Sequence, residues 1–275
     1  MATNDLVPDD LWAAIQPLLP PEPCATHGGP PRVSHRSALA GILYVLRGGL
    51  RWRDLPQALG CGSGNTCWRR LRQWQTLGIW QGVHQVLLNW LGDLDVIDWS
   101  RASLDSVSVR AKRGGEHTGP NPTDRGKAGS KYHVVVDRNG VPLAALLSAA
   151  NVHDSQLLVP LVDAVRPMRR PTGEPGRPRK RPSKPHGDKG YDDPQLRQAL
   201  RQRGITPRIA RRGVDSSERL GRYRWIVERA IAWIVAFRRL ATRYDRHAAS
   251  VLALLHLACA LICLRFLQHA EAEAH

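Results

Sequence analysis

The hydrophobic positions of this chain change their spacing part-way along it. Up to about residue 98 they recur every three to four residues in short bursts, as amphipathic helices require. Residues 6–19 (LVPDDLWAAIQPLL) predict a short helix that starts near Pro8–Asp9 and stops at Pro20, Pro21 and Pro23. Ser34 is placed to cap a second helix, Arg36–Leu46, which Gly48–Gly49 closes. A short helix to Leu59 and a glycine turn at Gly60–Gly64 come next. Asn65 or Thr66 then caps a third helix, in which Leu71, Trp74 and Leu77 alternate with Arg69, Arg70, Arg72 and Gln73. A fourth helix runs from Trp80 to Leu91.

After Trp99 the period shortens. Residues 103–109 (SLDSVSV) alternate as a strand, with Asp105, Val107 and Val109 on one side. A polar, Gly-rich and basic stretch from Lys112 to Ser130 reads as a mobile loop. Lys131–Asp137 and Val141–Ala149 form a hairpin in which Asn139-Gly140 supplies the turn's positive φ. Asp154 is placed to cap a helix over Gln156–Val165. Residues 166–185 (RPMRRPTGEPGRPRKRPSKP) have no apolar period and read as a basic surface loop or as disorder. A helix over Asp192–Arg203 and a short strand at Thr206–Ala210 complete the α/β part.

The most apolar helical stretch is Arg222–Tyr244 (RYRWIVERAIAWIVAFRRLATRY), read as one helix of about six turns without Gly or Pro. Its first half is apolar nearly all round, which implies burial. Glu228 sits inside it, and a buried carboxylate must be paired, protonated or metal-bound. Arg224, one turn earlier, is one possible partner and a metal ion is the other.

Charge narrows the function. The formal net charge is +16 and only six of the 40 basic residues are Lys, so the chain is built to contact phosphate and base edges through Arg. Nucleic acid is the partner this favours over a membrane surface or an acidic small molecule. Five Cys (24, 61, 67, 259 and 263) make no disulfide framework or zinc pattern and suit a reducing, cytoplasmic setting. The apolar run Ala248–Leu264 is too short to span a bilayer. Residues 1–98 resemble a helix-turn-helix domain with 66–76 as its recognition helix, the alternative being a helical bundle with a solvated Arg face. Residues 99–269 form a second, mixed α/β domain, with 270–275 as a tail.

The order strand, hairpin, helix, short strand, helix, strand, helix matches a ribonuclease H-like mixed five-stranded sheet with flanking helices. Its carboxylates Asp105, Asp188 and Glu228 are far apart in sequence but could converge at one end of such a sheet. Two divalent cations about 4 Å apart, bridged by carboxylates, would then drive in-line attack on a phosphodiester.

Particular motifs sharpen this. The chain resembles the DDE transposases of bacterial insertion sequences, in the insertion sequence five group. The resemblance is carried by Gly49-Leu50-Arg51-Trp52-Arg53-Asp54-Leu55-Pro56, Gly62-Ser63-Gly64-Asn65-Thr66, Asp105, Asp124-Arg125-Gly126-Lys127-Ala128-Gly129-Ser130-Lys131, Ala150-Asn151-Val152-His153-Asp154-Ser155, Asp188-Lys189-Gly190-Tyr191-Asp192 and Arg224-Trp225-Ile226-Val227-Glu228-Arg229. It implies that Asp105, Asp188 and Glu228 are the catalytic acids and ligands of two Mg²⁺ or Mn²⁺ ions. It also implies binding of terminal inverted repeats in double-stranded DNA, strand cleavage and transfer, and a dimer or larger assembly when two DNA ends are paired. Candidate DNA contacts are Arg69, Arg70, Arg72, Gln73, Lys131, Lys189, Arg224 and Arg238. The family's Tyr seven before the glutamate and basic residue seven after it are replaced here by Gly221 and Val235, with Tyr223 and Arg238 or Arg239 nearby. The alternatives are a transposase-derived DNA-binding protein without cleavage activity and a ribonuclease H-type nuclease.

Overall fold

The computed structural model describes residues 6–22, 32–211 and 217–273, the side chains of 217–224 excepted. Cys24 and the side chains of Tyr223 and Arg224 therefore lie outside the described residues.

Four helices open the chain: α1 (Asp9–Ile15), α2 (His35–Gly48), α3 (Gly64–Thr76) and α4 (Ile79–Asp93). Ser34 caps α2 by accepting the Ser37 N–H, and Gly49 closes it in the left-handed region at φ 71°. The cap of α3 is Ser63, not Asn65 or Thr66: its hydroxyl accepts the Thr66 N–H at 3.1 Å, so the helix starts earlier. Gly64 is needed there, because a Cβ would fall 1.6 Å from the Trp52 carbonyl oxygen.

The sheet comprises β1 (Ala102–Arg110), β2 (Gly119–Pro120), β3 (Ala128–Asp137), β4 (Pro142–Ala149), β5 (Pro185–Gly187) and β6 (Arg208–Ile209). Its main order is β4-β3-β1-β5-β6, antiparallel through the first three strands and parallel through the last three, with β2 beside the start of β3. This mixed α/β arrangement is ribonuclease H-like. In the β3–β4 turn only Gly140 takes positive φ, at 99°. The turn is held by the buried Asp137 carboxylate, whose Oδ1 accepts the N–H groups of Asn139, Gly140 and Val141. Burial pushes its pKa up to about 6 against those donors.

Helix α5 (Asp154–Ala164) packs on β1, β3 and β4, and α6 (Pro194–Gln202) packs on α5. His153, not Asp154, caps α5; its Nδ1 accepts the Ser155 N–H at 3.3 Å. Asp154 is instead taken up by Lys131 and Ser106, both at 2.9 Å. Asp193 caps α6, while Asp192 pairs with Arg197 at 2.6 Å.

The stretch read as one six-turn helix is two: α7 (Ser217–Ala236) and α8 (Arg238–Ala241). The chain turns at Phe237, which is buried, with ψ 104°. The break brings the Arg239 guanidinium onto Asp245 at 2.9 Å and onto the Leu50 carbonyl at 2.8 Å.

The loop after β1 is also anchored rather than free. Buried Arg243 donates to His117 O, Ser130 Oγ, Asp245 O and Arg246 O, lacing residues 111–117 to 243–248. In the 166–185 stretch, Met168 is buried and forms a bridge with Arg179, which gives that loop a fixed base.

Helix α9 (Ala248–Glu273) is long and apolar enough to cross a membrane, contrary to the length argument from sequence. It is a core helix: 78% of its most apolar window is buried, against α3, α4 and β4. One hydrophobic core thereby runs from Leu6 to Leu267.

Candidate active site

The β1–β5 register decides how two of the carboxylates are placed. Ala102 pairs with Pro185 and Ser103 with His186, an offset of 83 residues (185 − 102). Asp105 and Asp188 have the same offset (188 − 105), so the register, extended, sets them abreast where β5 ends. Alternate residues of a strand share a face. Ser103 and Asp105 therefore lie on the same side as His186 and Asp188.

That side is the one α7 and α8 cover. Asp105 is paired across the sheet with Val134, and its same-face neighbour Tyr132 donates its hydroxyl hydrogen to Leu240 O of α8 at 3.2 Å. Helix α7, which carries Glu228, packs on β1, β3 and β5. The helix is pinned by Arg229, whose guanidinium lies between the Trp225 and Trp233 rings at 4.7 and 4.8 Å. It also donates to Asn139 O of the β3–β4 turn at 2.7 Å.

Asp105 is half-buried, and its Oδ1 accepts the Ser106 N–H at 2.8 Å. Asp188 is half-buried too; its Oδ1 accepts the Gly190 N–H at 2.7 Å and so caps the turn Lys189–Tyr191. A Cβ on Gly190 would stand 2.8 Å from that same oxygen, so glycine lets the turn close on the carboxylate. Glu228 is exposed, which corrects the burial expected from its apolar surroundings. Among the described side chains of α7, the stripe Ile226, Val227, Ala230, Ile231 and Ile234 is buried, while Trp225 is 50% exposed. An exposed carboxylate does not require the compensating partner that a buried one would.

His186 shares this face and was not singled out from sequence, although it stands two residues before Asp188. Burial, then Arg101, Arg208 and Lys184, push its pKa down to about 4, which leaves the imidazole neutral at pH 7. Among the described residues, no three His, Cys, Asp or Glu side chains stand together as a ready metal-binding group. The three acids offer only oxygen donors, which suits a hard divalent cation.

The candidate DNA contacts divide into groups. Arg69, Arg72 and Gln73 are exposed on α3, whose inner face buries Cys67, Leu71 and Trp74. Arg70 is half-buried and reaches Gln73 Oε1 at 3.5 Å; Arg72 stacks over Trp68 at 5.0 Å. Arg238 is exposed at the start of α8 beside Gly49, and Lys189 is half-buried in the turn after Asp188. Lys131 stands apart. It lies on the sheet face opposite Asp105, and its ammonium is held by Asp154 Oδ1 and Val152 O. Its neighbour His133 is fully buried, with burial pushing its pKa down to about 4.

Comparison with known proteins agrees with the fold and the motifs. Residues 7–84 match a family described as "Putative transposase of IS4/5 family", and residues 100–263 match the "Transposase DDE domain". The "Putative transposase for insertion sequence element IS402" of Burkholderia cepacia is 51% identical over 154 residues, 56% of this chain and 72% of that protein. The "Insertion element IS402 uncharacterized 16.2 kDa protein" of the same organism is 53% identical over 119 residues, 42% of this chain and 81% of that one. A crystal structure of the Mos1 mariner paired end complex with Mn aligns over 88% of this chain and 82% of that one, at 14% identity and a TM-score of 0.26, too low to carry weight. The DDE-domain match spans more than half of the sequence and includes every strand and all three acids. The chain belongs to the DDE transposases.

Proposed function

We propose that this transposase binds the terminal inverted repeats of its own insertion sequence and catalyses metal-dependent strand cleavage and strand transfer, with Asp105, Asp188 and Glu228 as its catalytic acids. The observation that carries this reading is the parallel β1–β5 register, which sets Asp105 and Asp188 abreast on the sheet face covered by the helix of Glu228.

Asp105, Asp188 and Glu228 would hold two divalent cations, Mg²⁺ or Mn²⁺. When bound, such ions activate the attacking water or hydroxyl and stabilise the leaving oxygen at phosphorus. The chain's own part is positioning. Asp188 keeps one oxygen on the Gly190 N–H, leaving the other for the site. Asp105 is fixed by its strand, and α7 is held against the sheet by its inner stripe and by Arg229. Exposure of Glu228 leaves room for a nucleic-acid strand to approach from solvent. The exposed face of α3 reads the repeat, and the Arg-rich surface takes up phosphate charge. Pairing two DNA ends requires two copies of the chain or more, acting in the bacterial cytoplasm where the DNA lies.

The test is cleavage of a duplex carrying the flanking inverted repeats, with millimolar Mg²⁺ or Mn²⁺. Intact chain is expected to nick at the repeat end, and Asp188→Asn to bind the duplex without nicking it. Equal nicking by the two proteins would remove Asp188 from the site.

A further inference from the structure

A second feature has none of the three acids in its lining, although one of its walls, Arg51–Arg53, belongs to a motif quoted above. Between the N-terminal end of α3 and the segment joining α8 to α9 lies a cavity of about 360 Å³. Its floor is an aromatic and ionic network in which Arg239 is buried and Trp52, Tyr244 and Asp245 are half-buried. Trp52 Nε1 donates to Asp245 Oδ1 at 3.2 Å, and Arg239 bonds Asp245 Oδ2 at 3.0 Å. The guanidinium of Arg239 also stacks on the Trp52 and Tyr244 rings at 5.8 and 5.6 Å.

The rim is cationic. Arg51, Arg53, Arg113 and Arg246 are all exposed around it, with Trp68 of α3 at its edge. The acids nearby do not cancel them. Asp245 is taken by Arg239 and Trp52, Asp54 lies with Arg51, and Glu116 is turned to His247 and the Ala248 N–H. Arg53 lies 3.7 Å from Asp54 and is 73% exposed.

The walls come from three distant parts of the chain: the segment before α3, the loop after β1 and the α8–α9 link. They are rigidly joined. Arg243 ties the loop to the link, Glu116 N donates to Arg246 O at 2.9 Å, and Arg239 ties the link to Leu50. The backbone that carries the rim cations is thus held in place, which limits the freedom lost on binding an anion.

We infer that this cleft is a clamp for the phosphodiester backbone of the duplex whose bases α3 reads, and that it joins the base-reading helix to the catalytic sheet. The inference rests on the DNA-binding reading above and adds a site to it. The cleft abuts the N-terminal end of α3, where Gly64 touches Trp52, so a duplex lying along the exposed α3 face brings its backbone over the rim. The loop wall continues directly from β1, the strand of Asp105. Arg113, Arg246 and Arg53 contact phosphates there; the aromatic floor supports the cationic rim and reads no base.

The experiment measures binding of the full chain to a fluorescent duplex carrying the flanking repeat, and to a random duplex, across a range of salt. Arg53→Ala, Arg113→Ala and Arg246→Ala are combined, each being an exposed residue whose loss spares the core. Each phosphate contact contributes about 0.9 to the slope of log affinity against log salt. The triple variant is therefore expected to lose about 2.7 from that slope. Repeat and random duplex should weaken equally, whereas Arg72→Ala with Gln73→Ala should reduce the preference for the repeat. Lysine at the three positions should keep the slope. An unchanged slope in the alanine variant, with intact chain still binding the repeat, overturns the clamp and leaves the proposed function standing. Failure of intact chain to bind either duplex overturns both.

Discussion

The pair Arg239–Asp245 is the most exacting test of how the two ends of this chain hold together. Their side chains are 4% and 9% exposed, and the guanidinium meets the carboxylate at 2.9 Å, the Leu50 carbonyl and two aromatic rings. Arg239→Met keeps the volume but leaves the Asp245 charge with Trp52 Nε1 as a remaining donor. Removing one partner of such a buried pair costs about 3–5 kcal/mol. At about 2–4 °C per kcal/mol for a chain of this size, the melting temperature should fall by roughly 6–20 °C. Asp245→Asn should cost less, because Arg239 keeps Leu50 O and both rings. The double variant should be more stable than the sum of the singles implies, with a coupling of about 1–3 kcal/mol. Differential scanning calorimetry on the four proteins gives the cycle. A single-variant shift below about 2 °C, or strictly additive effects, would refute a linked pair.

Three other predictions follow from the site and its surroundings. Since Glu228 is exposed, Glu228→Gln should change the melting temperature of the metal-free protein by an amount worth less than about 0.5 kcal/mol, while abolishing strand cleavage and reducing the stabilisation by Mn²⁺; a large metal-free loss would mean a structural ion pair instead. His84 and His133 have pKa values pushed down to about 4, so their protonation favours the unfolded chain, and stability should be full above pH 6.5 and fall between pH 6.5 and 4. Each contributes at most about 3 kcal/mol to that fall, and a urea-melt series across this range in which stability stayed flat would contradict the burial of both rings. Residues 1–100 alone, lacking α9, should show low helicity by circular dichroism and bind the repeat far more weakly than the full chain, because the apolar faces of α3 and α4 lose their cover; a well-folded fragment with full affinity would show instead that these helices stand alone.

Local chemistry made much of this fold legible. Ser34 and Gly49 delimit α2 through backbone hydrogen bonds that only their own residues decide, and the alternation of 103–109 announces β1. Asp105 falls on a strand that its alternation reveals, whereas β5, which ends one residue before Asp188, is only three residues long and shows no alternation to read. What escaped was set by distant contacts. Nothing within 222–244 signals a break at Phe237; it follows from Asp245 and Leu50 drawing in Arg239, and neighbouring Arg238 has the same chemistry but stays in solvent. Exposure of Glu228 escaped because an apolar helix does not reveal which of its sides the sheet will cover. The pairing of Lys131 with Asp154, 23 residues away on the face opposite Asp105, is likewise a contact that its motif does not reveal. The Arg53–Arg113–Arg246 cleft was illegible for a simpler reason: its walls are three separate segments, and no single stretch carries the pattern.

The position of α9 also sets a schedule for synthesis. Helix α3, with its exposed arginines, leaves the ribosome early, yet α9, which covers part of its back, is made only after the whole sheet. Roughly 200 residues of translation separate the two, on the order of 10–40 s at 5–20 residues per second. Through that interval α3 and α4 have only the earlier helices for cover, and the apolar surface left open is a natural client for chaperones. On the proposed function, a nascent or prematurely terminated chain without α9 would be a poor competitor for the element's ends.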